Sequence, residues 1–317
     1  MTELSVPSAF AADIEQSLSG PRKFINSRYF YDKKGDAIFR RIMEMPHYYL
    51  TGCEFEIFSD YQDDIRRLIE AKAFDVIEFG AGDAYKTRIL LGNFLRNGLA
   101  ISYIPVDISG NVLDKLKAEL SVELPSLRID PVQDDYFNAL GELGKASTRP
   151  KVVFFLGSNI GNFPEKEAFD FVSRIHEKLH PGDLLLLGVD LKKDPALVLR
   201  AYNDTTGITA SFNLNLLERM NTELGANFNV SAFYHYPVYD PSTGLAKSFL
   251  VSKAEQDVYF KVLERSFHFW DGEVIATELS QKYELSQLKA WGAKLDFKLE
   301  GLFMDKRSYF TDIIFRK

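Results

Sequence analysis

The sequence predicts an α/β protein: a doubly wound, Rossmann-like core with a second, discontinuous α+β domain inserted into it. Three observations carry this prediction. Between residues 74 and 189 short apolar runs alternate with amphipathic stretches of helical period, the rhythm of a parallel sheet with crossover helices on both faces. After about Asp190 the pattern turns to aromatic-rich alternation, which reads as antiparallel strands. The first fifty-odd residues are aromatic and partly helical and do not fit the strand–helix rhythm.

The elements follow in order. Residues 74–79 (FDVIEF) form a buried strand that runs into Gly80-Ala81-Gly82. Residues 86–97 have helical spacing, with Ile89, Leu90, Phe94 and Leu95 on one side. Residues 100–106 are a second strand ending at Asp107, 111–120 a helix, 127–132 a third strand and 151–156 (KVVFFL) a fourth. A helix over 165–179 is stopped by Pro181-Gly182, and 183–189 form a fifth strand. Residues 194–217 are helical with interruptions at Pro195 and Gly207. Strands are expected at 227–238, 246–252, 257–269 and 274–283, a helix at 286–293, and a closing hairpin from 294–304 and 308–316. The expected division is a core of residues 56–192 with 283–317, and a second domain of residues 1–55 with 193–282.

Composition narrows the function class. The chain has 317 residues and one cysteine, Cys53, so no internal disulfide framework exists and a reducing, cytoplasmic setting is expected. A formal charge of −7 argues against nonspecific nucleic-acid binding and leaves a small ligand open. The acidic N-terminal stretch (Glu3, Asp13, Glu15) is no signal peptide, and the apolar runs are too short to span a bilayer. A monomer is expected.

In open α/β sheets ligands bind beyond the carboxyl ends of the strands, at the switch point. Glu78, Gly80, Gly82 and Asp107 fall there. Gly80 and Gly82 let a ligand approach the backbone, and Asp107 offers a carboxylate to ribose hydroxyls. Asp135 and Tyr136, after the third strand, can frame an adenine. A glycine turn alone is only a turn; with Asp107 and Asp135 at the matching strand ends it reads as a site for a nucleotide-like ligand, either NAD or S-adenosylmethionine (SAM). The nicotinamide fingerprint G-x-G-x-x-G appears here as G-A-G-D-A-Y, with Tyr85 in place of the third glycine, which disfavours a pyrophosphate. SAM needs no phosphate cradle, and Lys86 can reach its methionine carboxylate.

One motif points elsewhere. Residues 176–180 read HEKLH, a formal match to the H-E-x-x-H zinc signature. Pro181-Gly182 ends that helix at once and no third ligand is evident nearby, so no metal is expected.

Several longer stretches go beyond fold logic: YFYD (29–32), PHYYLT (46–51), EFGAGDAYKTRILL (78–91), LGSNIGN (156–162), RAYNDTTGITASFN (200–213) and TELSQK (277–282). In order along the chain, they resemble the histidine-specific N-methyltransferase family, whose members make trimethylated histidine (hercynine), the first step towards ergothioneine. The resemblance implies a class I methyltransferase core that binds SAM and an inserted domain that binds the amino acid. It implies that Gly80, Lys86, Asp107, Asp135 and Tyr136 hold SAM. Tyr48, Asn162 and Tyr202 would hold the α-amino and carboxylate groups, Tyr48 and Asn162 acting at the reacting nitrogen. Tyr31 and Phe39 would line the cavity, and Glu278 and Ser280 would face the imidazole.

Read without the resemblance, Tyr48 and Tyr202 are equally core residues, Asn162 a turn former and Glu278 a solvent-facing strand residue. Glu278 and Ser280 share a strand face, so if one faces a pocket both do. Two positions depart from the family pattern: Ser248, where a methionine packs against the side-chain pocket in other members, and Asn159, where threonine follows LGS. Both are expected near the selectivity pocket. Tryptophan, another aromatic amino acid or a biogenic amine stays open as the acceptor, and an NAD-dependent oxidoreductase or a noncatalytic binding protein remains as a different class.

Overall fold

The computed structural model describes residues 9–136, 138–139 and 149–317. They divide into two compact units, one made of the chain up to Tyr48 with Asp194–Ser280, the other of Tyr49–Lys193 with Gln281–Lys317. The chain therefore leaves and re-enters the second unit as an inserted domain requires. The breaks fall at 48/49, 193/194 and 280/281 rather than at the expected 55/56, 192/193 and 282/283. The first differs most because Tyr49–Arg67 is one unbroken helix, whose Leu50, Cys53, Ile57, Phe58 and Ile65 are buried together. A rod packed along one side belongs wholly to the unit it packs on.

In the unit of Tyr49–Lys193 and Gln281–Lys317 the strands, numbered along the chain, are β2 (Ala73–Phe79), β3 (Ala100–Asp107), β4 (Arg128–Ile129), β5 (Val132–Gln133), β6 (Lys151–Phe155), β7 (Leu184–Asp190), β13 (Lys298–Met304) and β14 (Phe310–Arg316). They form one sheet in the order β13-β14-β7-β6-β2-β3-β4, with β5 also on β3. The pairs from β7 to β5 are parallel, and β14 enters antiparallel beside β7. This is the doubly wound, Rossmann-like core the sequence predicts. Its central strands are mostly apolar because both faces are covered: every residue of β6 and β7 is buried, with Lys151 and Asp190 the charged exceptions at their ends. The helices Glu165–Lys178 and Leu285–Lys294 pack Phe171, Val172, Ile175, Leu288 and Trp291 into a common core with these strands. The expected third strand, 127–132, is instead the two short pieces β4 and β5, split at Asp130-Pro131; proline has no N–H to give to a ladder.

The other unit carries a sheet in the order β1-β12-β9-β8, from β1 (Lys23–Phe24), β8 (Phe233–Asp240), β9 (Leu245–Ser252) and β12 (Val274–Gln281). The expected single strand 257–269 is a separate hairpin, β10 (Gln256–Phe260) and β11 (Arg265–Phe269), turned just before β11 at Glu264 with φ +48°. Helices Ala9–Ser19, Lys33–Met43, Pro195–Tyr202 and Ile208–Glu223 accompany this sheet. Pro195 does not interrupt a helix but opens one, in the first turn where its missing N–H costs nothing, with Asp194 accepting from the Ala196 N–H at 2.9 Å. Phe10, Ile14, Phe30, Ile38, Phe212, Leu216, Phe260 and Ile275 meet in this unit's core. Among the described residues no helix is long and apolar enough to cross a membrane.

Candidate functional site

The glycine loop follows β2, at the carboxyl end of the parallel strands. Gly80 has φ +70°, and a Cβ there would lie 2.5 Å from both the Tyr136 Oη and the Asn159 Nδ2. The loop thus needs glycine for backbone conformation and for space. Asp107, ending β3, accepts from the Gly82 N–H at 3.1 Å and the Ser109 N–H at 2.9 Å. Burial pushes its carboxyl up, against these donors, which favour the charged form. Glu78, expected at the same strand ends, is turned inward instead. It accepts from Thr87 Oγ1 at 2.6 Å and from the Tyr103 hydroxyl, and burial pushes it up to about 7. Glu78 ties β2 to β3 and to the first turn of the helix Thr87–Arg96 and presents no free oxygen to a ligand.

Tyr136 lies against Phe79, Phe155, Phe163 and Phe171, with centroids 5.4–6.3 Å away, so its hydroxyl reaches the glycine loop from an aromatic base. Asp135 accepts from the Asn138 N–H at 2.9 Å. Asn159, expected near the selectivity pocket, faces the glycine loop: its Nδ2 is 3.5 Å from the Gly80 carbonyl oxygen. Lys86 is ion-paired with Glu54, a fully buried carboxylate on the helix Tyr49–Arg67, which also accepts from the Gly157 N–H at 2.8 Å. Asn162 closes the short 3-10 turn Asn159–Asn162 beyond β6 and is half-buried. Tyr85, at the third-glycine position, is exposed and stacks on Phe55 at 5.3 Å.

The remaining expected residues belong to the other unit. Tyr31 and Phe39 meet edge to face at 5.6 Å, and Phe39 meets Tyr48 at 6.4 Å. Phe212 of the helix Ile208–Glu223 lies 5.7 Å from Phe39 and 6.0 Å from Tyr31. These four rings form one aromatic cluster. Tyr202 is buried at the end of the helix Pro195–Tyr202. Glu278 and Ser280 alternate along β12 and share a face, with Ser280 buried. Ser248 on β9 is buried, and its hydroxyl lies 3.4 Å from Glu278 Oε2. Between them Thr277 donates to the Asn213 Oδ1 at 2.6 Å, pinning β12 to the helix Ile208–Glu223.

Glu54, Asp312, Phe212 and Asn213 are not among the residues expected from the sequence. The last two lie inside the RAYNDTTGITASFN stretch, so the signal was present. Glu54 and Asp312 are acids inside apolar segments, CEFEIF and FTDIIF, and an acid within a buried pattern is itself a flag. For HEKLH, the helix ends at Lys178, so His180 lies beyond it, and His176 is packed on Phe297 at 4.6 Å. Among the described residues no group of three or more His, Cys, Asp or Glu is arranged to hold a metal.

Comparison with known proteins gives the family. The model of a family described as "Histidine-specific methyltransferase, SAM-dependent" matches residues 10–317. A histidine N-alpha-methyltransferase of Mycolicibacterium smegmatis is 34% identical over 279 residues, 88% of this chain and 86% of that protein. One from Mycobacterium tuberculosis is 32% identical over 287 residues, 90% of this chain and 87% of that protein. Ergothioneine biosynthesis protein 1 of Schizosaccharomyces pombe is 29% identical over 294 residues, 90% of this chain but 38% of that longer protein.

Proposed function

The chain belongs to the histidine-specific, SAM-dependent methyltransferase family, and from that premise we propose that it transfers methyl groups from SAM to the α-amino nitrogen of L-histidine, giving N,N,N-trimethylhistidine (hercynine). The observation that carries the reading is the match to two histidine N-alpha-methyltransferases at about one-third identity over nearly nine-tenths of both chains. SAM as methyl donor, in place of a nicotinamide cofactor, follows from the family itself. A mass-spectrometric screen of the twenty amino acids and common biogenic amines with SAM tests the acceptor; tryptophan or another amine as sole substrate would displace histidine.

SAM supplies an electrophilic methyl group on a sulfonium, and transfer is an in-line displacement that asks the protein for alignment more than for acid–base power. The residues of this chain fit such a ligand. Gly80 leaves bare backbone at the strand ends, and Asp107, oriented by two N–H donors, is a carboxylate for ribose hydroxyls. Asp135 and Tyr136 frame the adenine, and Lys86 takes the methionine carboxylate.

On the acceptor side, Tyr48 and Asn162 orient a neutral amine through a phenol and an amide, neither of which fixes its charge. Asn162 and Tyr202 donate to the substrate carboxylate. Tyr31 and Phe39 wall the cavity with the aromatic cluster. Glu278 accepts from an imidazole N–H as a charge-assisted partner, with Ser280 beside it on the same strand face. Ser248, reaching Glu278 from β9, supports a polar imidazole edge in place of an apolar one. A monomer working in the cytosol on a small-molecule substrate completes the reading; the single buried Cys53 fits a reducing compartment.

A further inference from the structure

Asp312 stands out among the buried acids. It lies in the middle of β14, is fully buried, and neither carboxylate oxygen has a hydrogen-bond donor among the described residues. Its cross-strand partner on β7 is Gly188. A Cβ on Gly188 would collide with Glu54 Oε1 and stand 3.1 Å from Asp312 Oδ1. The missing side chain is therefore the space in which two carboxyl groups converge. Glu54 is in turn the partner of Lys86 and of the Gly157 N–H.

Two ionised carboxylates in one dry space are both desolvated and repel each other, and one lysine neutralises only one of them. Glu54 has the ion pair and the backbone donor; Asp312 has neither. Burial and the nearby Glu54 charge both push the Asp312 carboxyl well up, and Lys86 acts the other way. Along β7, Asp190 adds no net negative charge, because Lys193 and Lys282 pair with it. As a neutral acid Asp312 carries one O–H, and Glu54 Oε1 is the carboxylate oxygen that shares the space over Gly188 with Asp312 Oδ1.

We propose that Asp312 is a positioning residue for the cofactor: as a neutral acid it donates to Glu54, fixes the Glu54–Lys86 pair, and so keeps Lys86 turned toward the methionine carboxylate of SAM. A second negative charge here would draw the Lys86 ammonium inward and set it against the ligand. The proposal rests on the assignment of Lys86 above and adds a residue that does not touch SAM.

The test uses the full-length protein. Infrared difference spectra of wild type against Asp312→Asn at neutral pH should show a protonated carboxylic C=O band that the variant lacks. By calorimetry, Asp312→Leu, which removes the donor, should weaken SAM binding roughly tenfold, the worth of one hydrogen bond to a charged acceptor. Asp312→Asn, which keeps an N–H donor, should recover most of that loss, and the KM for the amino acid should stay put in both. Absence of the band, or an Asn variant as damaged as the Leu variant, overturns the proposal. If Asp312→Leu does not fold, the band and the Asn variant still decide. Lys86→Met separates premise from inference. SAM affinity unchanged in Lys86→Met overturns the role of Lys86 itself; affinity lost there but intact in Asp312→Leu overturns only the role of Asp312.

Discussion

Glu78 makes the pH dependence of stability predictable. Its carboxyl is buried between Thr87 and Tyr103 and is pushed from 4.5 up to about 7, first by burial. In the unfolded chain it returns to its ordinary value. The folded state therefore binds this proton more tightly than the unfolded state. The stability it contributes is fully present below about pH 4.5 and is lost as the pH rises through about 7. At about 1.4 kcal/mol per tenfold change in proton affinity, the full effect is about 3 kcal/mol, and between roughly pH 5 and pH 8 it is about 2 to 3 kcal/mol. Glu78→Gln keeps a polar group able to bond Thr87 and Tyr103 but cannot ionise. Urea titrations of wild type and Glu78→Gln at both pH values give the difference in which every other carboxylate cancels. The variant should gain on wild type by about 2 to 3 kcal/mol from the lower pH to the higher. A difference that does not change with pH, or one that moves against the variant, would refute the reasoning and mean that Glu78 is ionised in the fold.

Other expectations are simpler. Gly80→Ala meets a left-handed backbone cost of about 1–2 kcal/mol and an overpacking cost of about 1–3 kcal/mol, so SAM affinity should fall at least roughly tenfold and the melting temperature by several degrees; unchanged calorimetric binding would clear the close approach of Tyr136 and Asn159 to Gly80 of importance. Glu278→Ala should raise the KM for histidine roughly 10- to 100-fold with SAM affinity within about twofold, and equal loss of both would remove its assigned role. Tyr48→Phe keeps the ring in the aromatic cluster, so the far-UV spectrum should be unchanged while kcat/KM drops roughly tenfold or more. Dialysis against a chelator should leave turnover unaltered; a loss restored by zinc would revive the reading of HEKLH as a metal site.

The core was legible in the sequence because its strands are buried on both faces, and continuous apolar runs such as KVVFFL leave little choice. Where Pro131 removes an N–H and where Glu264 takes a left-handed turn, a run that looks continuous breaks, and periodicity alone does not show it. The first boundary differs because the helix Tyr49–Arg67 begins inside the aromatic stretch PHYYL and runs straight through Gly52, a residue that reads as a break. The glycine loop and Asp107 were visible as residue types at strand ends. The inward turn of Glu78 was not, since a strand-end acid facing a ligand and one facing Tyr103 read alike. Neither was the meeting of Glu54 and Asp312, more than two hundred and fifty residues apart, for which only the glycine opposite Asp312 makes room.

The central claim is methyl transfer to the α-amino nitrogen of histidine. It is tested most directly by incubating the full-length protein with L-histidine and methyl-labelled SAM and locating the label in the product by tandem mass spectrometry. Three labelled methyl groups are expected, all on the α-nitrogen, with S-adenosylhomocysteine formed in step. Label on a ring nitrogen, or no labelled histidine while another amine is methylated, would contradict it.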